Sequence, residues 1–154
     1  LMTLQSFLYR SLPLWTRQYT CSFANTIATH FMKAVNSDKS AETIRTNILN
    51  KTGKNIAVII SDTFGRPFRM GQTNCAIGIS GLNPILDYAG TLDSFKRILH
   101  VTAIAIADEL SSAAELVMEK TKKCPAAIIR DYCFNAEERT IVDLIRPENE
   151  DLFK

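Results

Sequence analysis

The chain has 154 residues, 46% of them hydrophobic and 22% charged, enough for one domain that buries on the order of two thirds of its unfolded surface. Its 18 basic and 16 acidic side chains leave a net charge of +2 in mixed sign, without the broad basic face that drives nucleic-acid binding, so no nucleic-acid partner is expected. Four cysteines with no C-x-x-C pair and only two histidines indicate neither a zinc site nor a disulfide framework, and reduced thiols in a cytoplasmic protein are expected.

Residues 1–36 differ in character from the rest of the chain. They hold Arg10, Arg17 and Lys33 but no acid, and are rich in Ser, Thr and aromatic side chains. No Lys or Arg precedes the apolar start, which weakens a secretory signal, and no apolar run approaches about 18 residues, so no membrane span is expected. An acid-poor, Arg-bearing stretch fits an organellar presequence better, while the opening on Leu1 is equally what an upstream truncation or a shifted reading frame produces. This segment is left unassigned, and the folded part is expected over residues 37–154.

From Asp38 the pattern is helical: Ala41, Ile44, Ile48 and Leu49 share a face, Ser40 is the expected N-cap and Gly53 the stop. Residues 55–60 are β-branched and apolar on both alternations, as in a strand covered on both faces, and the strand is expected to end at Asp62. Residues 74–80 read as a second strand, with Gly78 and Gly81 marking a bulge, a bend or a close backbone approach before the turn at Asn83-Pro84. A polar connection covers residues 88–100. The longest helical pattern runs from Thr102 to about Lys120, with Ala103, Ile106, Leu110, Ala113 or Ala114, and Val117 on one stripe and Asp108, Ser112, Glu115 and Glu119 near the other side. Residues 125–129 read as a third strand, and the tail from Glu137 begins as a short helix or strand and ends in an acidic run before Leu152-Phe153. Few strands alternating with helices give an α+β class of mixed α/β layers.

The stretch from Ile59 to Pro84, IISDTFGRPFRMGQTNCAIGISGLNP, concentrates the chemistry. Asp62 and Thr63 at a strand end offer hard oxygen ligands of the kind that hold magnesium or manganese beside phosphates. The alternative is an Asx hydrogen bond that merely shapes the chain. Arg66 and Arg69, three apart around Gly65 and Pro67, could clamp a carboxylate or phosphate bidentately, or be ordinary surface arginines. The glycines match neither a P-loop nor a dinucleotide fingerprint, so they carry no nucleotide site by themselves. Asp87, Asp93, Asp108 and Glu109 are further acids that solvent explains as well as function does. Lys120, Lys122 and Lys123 suit a helix C-terminus, His100 reads as a strand-end or core residue, and the cysteines as packing.

That stretch, together with ILHVTAIAIADELSSAAELVMEK and LIRPENEDLFK, resembles the second half of the coenzyme F-420 gamma-glutamyl ligase family, from about Ser40 to the C-terminus. The resemblance implies a gamma-glutamyl ligase-like fold lacking the family's N-terminal half. It implies a GTP-dependent ligase that joins L-glutamate to a deazaflavin precursor, first by an amide and then by gamma links, through an acyl phosphate. It also implies magnesium or manganese, with a monovalent cation besides, and a homodimer or a separate chain supplying the other half. Residue by residue it implies a metal role for Asp62, Thr63 and the position of Lys120, and nucleotide contacts from Met118, Glu119, Lys120, Thr121, Lys122, Lys123, Cys124 and Pro125. It gives Arg66 and Arg69 anionic substrates to hold, and it assigns no catalytic residue. The chain departs from the family where Glu119, Lys122 and Lys123 stand in a loop usually rich in glycine, where Ala89 replaces a common arginine, and where Lys96 replaces a common glycine. The competing expectation is a non-catalytic remnant or interaction module that keeps the fold.

Overall fold

The computed structural model describes residues 26–30, as backbone, and residues 36–150. Arg10, Arg17, Cys21, Lys33 and Leu152-Phe153 lie outside the described residues. Strand β1 (Thr26–His30) leads into helix α1 (Ser37–Thr52) and back into β2 (Ala57–Gly65), which runs parallel to β1. β3 (Gln72–Ser80) folds antiparallel onto β2, and β6 (Ala126–Arg130) runs antiparallel to β1, giving the order β3-β2-β1-β6. Between β3 and β6 come a small ladder of β4 (Leu86–Asp87) with β5 (Ala103–Ile104), and then helix α2 (Ile106–Met118). Mixed strand directions with a helix packed on each face make this an α+β fold. β1 lies in the segment left unassigned by sequence; five residues with two threonines and an alanine carry little pattern of their own, and their place is set by the strands on either side.

Helix α1 has two locally coded ends. Asn36, in extended backbone, accepts the Lys39 N–H at 3.0 Å, and Gly53 takes φ 68 while its N–H reaches Leu49 O at 2.8 Å. Ser40 is not the cap: it lies within the helix, where its hydroxyl donates to Asn36 O at 3.0 Å. The apolar face is thin, with Ala41 buried, Ile44 and Ile48 partly buried, and Leu49 exposed rather than packed.

The apolar run in β2 divides its side chains between the two layers. Val58 and Ile60 pack with Ile77 against Ala41, Ile44 and Ile48 of α1, while Ala57 and Ile59 pack with Ala76 and Ile79 against Ala107 and Leu110 of α2. Ile60 pairs with Gly78 and Ser61 with Ala76, so Ile77 is an extra residue, a β-bulge. The bulge turns Ile77 and Gly78 toward the α1 side. A Cβ on Gly78 would stand 2.4 Å from the backbone carbon of Ser37, so only glycine lets the first turn of α1 rest on the strand. Asp38 locks that approach: its Oδ1 accepts the Ile79 N–H at 2.8 Å, and its carboxylate also accepts the Ile141 N–H of the 3-10 turn Ile141–Leu144. The tail from Glu137 is thus 3-10 turns, Ile141–Leu144 and Glu148–Glu150, instead of a regular helix or strand.

Helix α2 begins later than its pattern indicates, because residues 103 and 104 are drawn into β5 by pairing with Asp87 and Leu86. It buries Ile106, Ala107, Leu110, Ser111, Ala114 and Met118, the last two against Ala127 of β6. The connection before it is a β arm: Asp93 closes a turn by accepting from the Phe95 and Arg97 N–H groups, each at 2.8 Å, and Leu92 bridges to Ile98. Among the described residues no helix is long and apolar enough to cross a membrane.

Candidate functional site

β2 does not end at Asp62. It continues to Gly65, with Asp62 opposite Cys75 and Thr63 opposite Asn74. Adjacent side chains on a strand point to opposite faces, so Thr63 shares the α2 side with Ser61, and Asp62 points away from it. Asp62 is exposed, and its Oδ1 accepts the N–H of the next residue, Thr63, at 2.6 Å, one residue short of the Asx turn that would shape the chain.

β3 is an edge strand, whose outer backbone groups need partners. The polar stripe of α2 supplies them: Asp108 Oδ1 accepts the Ala76 N–H at 2.8 Å, and Ser112 Oγ donates to Asn74 O at 2.8 Å while meeting Thr73 Oγ1 at 2.7 Å. One turn further, Glu115 Oε2 accepts Asn74 Nδ2 at 2.9 Å. That bond fixes the side-chain amide of buried Asn74, turning its Oδ1 toward Thr63, whose hydroxyl donates to it at 3.3 Å. Lys120 completes the group. Its Nζ lies 2.8 Å from Thr63 Oγ1, 3.3 Å from Asn74 Oδ1 and 3.2 Å from Glu115 Oε1, so one ammonium joins β2, β3 and α2.

Beside this cluster opens a pocket of about 300 Å³ lined by Asn74, Glu115, Met118, Glu119, Lys120, Lys123, Cys124 and Pro125. Of the loop residues marked by sequence, only Thr121 and Lys122 do not line it. The loop backbone is tightly bent: Glu119 ends α2 at φ 46 and Lys123 stands at φ 53, conformations natural to glycine. Lys122 pairs with Glu119 instead of pointing inward.

Arg66 and Arg69 sit on the exposed β2–β3 turn and do not line the pocket; Arg66 Nη2 reaches Met70 O at 3.4 Å. Asp87 and Asp93 serve local turns, and Asp108 serves the β3 edge. His100 is exposed and not in the core. Burial, then the charges of Asp108 and Asp62, push the Cys75 thiol up from its ordinary value, which keeps it protonated and unreactive at neutral pH. Asn74 and Glu115 are not singled out by sequence, because Asn74 follows Gln72 and Thr73 in the polar start of β3 and nothing in that local pattern marks it as buried.

The donor set bears on a metal ion. Asp62 is an exposed carboxylate of suitable chemistry for a hard cation. Position 120 is not: an ammonium has three donors and no lone pair to give, and here it takes the oxygens of Thr63, Asn74 and Glu115 for itself. Among the described residues no group of three or more His, Cys, Asp or Glu side chains is placed to hold a metal.

The family model described as F420-0:Gamma-glutamyl ligase matches residues 28–131. The Coenzyme F420:L-glutamate ligase of Methanocaldococcus jannaschii is 48% identical over 120 residues, covering 77% of this chain and 48% of that protein. The protein of the same name from Methanothermobacter thermautotrophicus is 44% identical over 120 residues, covering 76% of this chain and 48% of its own length. The chain therefore spans about half the length of the curated relatives it matches.

Proposed function

Because the chain belongs to the F420-0:gamma-glutamyl ligase family, we propose that it carries one half of a GTP-dependent ligase adding L-glutamate to a deazaflavin precursor, first as an amide and then through gamma links. The supporting observation is the polar cluster of Thr63, Asn74, Glu115 and Lys120, of which Asn74, Glu115 and Lys120 line a pocket bordered by Glu119, Lys123, Cys124 and Pro125 of the following loop. In this reading the terminal phosphoryl group of GTP passes to the acceptor carboxylate, GDP leaves, the glutamate amine attacks the acyl phosphate, and phosphate departs as the new nitrogen loses a proton. Every participant is anionic. Lys120 and Lys123 at the pocket, with Arg66 and Arg69 on the hairpin turn, supply fixed positive charge, and their contribution is positioning and electrostatic stabilisation.

Asp62 is the residue that would hold magnesium or manganese, whose chemistry is to offset charge on phosphate oxygens; a monovalent cation belongs to the same reading. The pocket is at the small end of ligand sites, so it suits a phosphate-bearing end, with the remaining contacts coming from the half of the relatives that this chain does not match. A second copy, or a separate chain carrying that half, is the proposed partner in the cytoplasm. The fully exposed Phe68 and nearly fully exposed Met70 and Val101 support such a covering.

The test is incubation with precursor, L-glutamate, GTP and manganese, alone and with the other half of a relative added. A product heavier by one or more glutamyl residues, lost in Asp62→Asn while its melting temperature holds, is the expected result. A nucleotide at about 100 times its dissociation constant adds about 2.7 kcal/mol, so the absence of both product and any melting shift with millimolar GTP favours the second reading, a non-catalytic module. The half-length match and the lysine among the site oxygens are what speak for that alternative.

A further inference from the structure

We propose that Lys120 is a built-in cation: its ammonium fills an oxygen cage formed by Thr63, Asn74 and Glu115, and thereby closes that cage to a free divalent ion. Three elements contribute one oxygen each, at 2.8, 3.3 and 3.2 Å from Nζ. These are ammonium distances. They exceed the roughly 2.0–2.1 Å shell of magnesium and the roughly 2.3–2.6 Å shell of calcium.

The cage is built to a purpose. Asn74 is buried and its amide is oriented by Glu115 Oε2 at 2.9 Å, so the carbonyl oxygen has no choice but to face Thr63 and Nζ. Glu115 carries the cage's single negative charge, with its side chain about three-quarters buried, and a carboxylate in that setting demands a counter-charge. Lys120 supplies it from the loop directly after α2. Without the ammonium the same oxygens present one carboxylate and two neutral ligands facing one point, a hard-ion donor set once they draw in by roughly 1 Å on a divalent ion.

The consequence is a prediction opposite to that for an ordinary ligand: removing Lys120 creates metal binding. The inference rests on the cage alone and not on the ligase reading, because the experiment reads ion binding and not turnover. Manganese alone is titrated into the full chain and into Lys120→Gln, Lys120→Arg and Lys120→Gln/Glu115→Gln, with free ion followed by electron paramagnetic resonance. The expected result is one additional manganese per chain in Lys120→Gln, at least tenfold tighter than any binding at the cage in the unaltered chain, and absent from both Lys120→Arg and the double variant. Equal stoichiometry and affinity in all four proteins overturns the proposal.

Should Lys120→Gln fail to fold, amine labelling of the unaltered chain decides instead. If the ammonium holds the cage, acylation of Lys120 is several-fold slower than that of Lys123 and is unchanged by millimolar manganese. Acceleration by manganese would mean that the ion displaces the ammonium, and would overturn it.

Discussion

The two helices of this domain divide its labour unequally. α1 has a side-chain cap at its N-terminus and a glycine at its C-terminus, yet buries only Ala41 fully. α2 has no side-chain cap at Ala105 and ends on Glu119 at φ 46, yet it buries six residues and commits Asp108, Ser112 and Glu115 to β3 and the cluster. Local sequence therefore sustains α1, which packing alone would hold weakly, whereas tertiary contact sustains α2 and allows its C-terminus to be bent for the pocket. The close contact of α1 at Gly78 lies toward the open end of the β2–β3 hairpin, and the polar cluster lies nearer its turn, beside the C-terminal half of α2.

The sharpest way to break this division is Gly78→Val. A side chain there meets the Ser37 backbone at 2.4 Å and must push α1 off the bulge, costing about 3 kcal/mol in urea unfolding, the upper range for overpacking. Gly65, where a Cβ would meet nothing within 4 Å, is the control on the same hairpin and should tolerate alanine. A smaller loss is expected at the α2 end. Asn74→Leu fills the same space but strips Glu115, Thr63 and Ser61 of a shared partner, costing about 2 kcal/mol, and unlike Gly78→Val it should also free Lys120 for faster acylation. If Gly78→Val alters that labelling as much, the two ends are not separate.

The same division explains what could be read in advance. Gly53 and Gly78 announce a helix stop and a close approach because each answers a local backbone need. Asp62 and Thr63 are conspicuous as residue types, but the strand runs past them and sends them to opposite faces, which no local pattern reveals. The cluster is less legible still. Glu115 and Lys120 stand 41 and 46 positions from Asn74, and only the docking of α2 along the β3 edge makes them neighbours. The first turn anticipated for α2 is lost to β5, a case of pairing overriding helical periodicity.

The smallest expected effects are also opposite in sign, one at each helix C-terminus. Gly53→Ala places a Cβ at φ 68, where nothing clashes within 4 Å, so its cost is purely the left-handed backbone, about 1 kcal/mol. Glu119→Gly does the reverse: it relieves φ 46 at the end of α2 and gives up only an exposed pair with Lys122, for a net gain of about 0.5 kcal/mol. Lys96→Gly, at φ 62 in the β arm, provides a third case away from both helices. Thermal melts of the three variants should therefore move down for Gly53→Ala and up for the other two. A rise at Glu119→Gly would mean that the fold holds the bent backbone against the preference of its residue, leaving the strain in place beside the pocket. A fall would mean that the Glu119 side chain contributes more to the loop than its pairing with Lys122 accounts for, and that α2 is held at its end by more than the docking of its buried face.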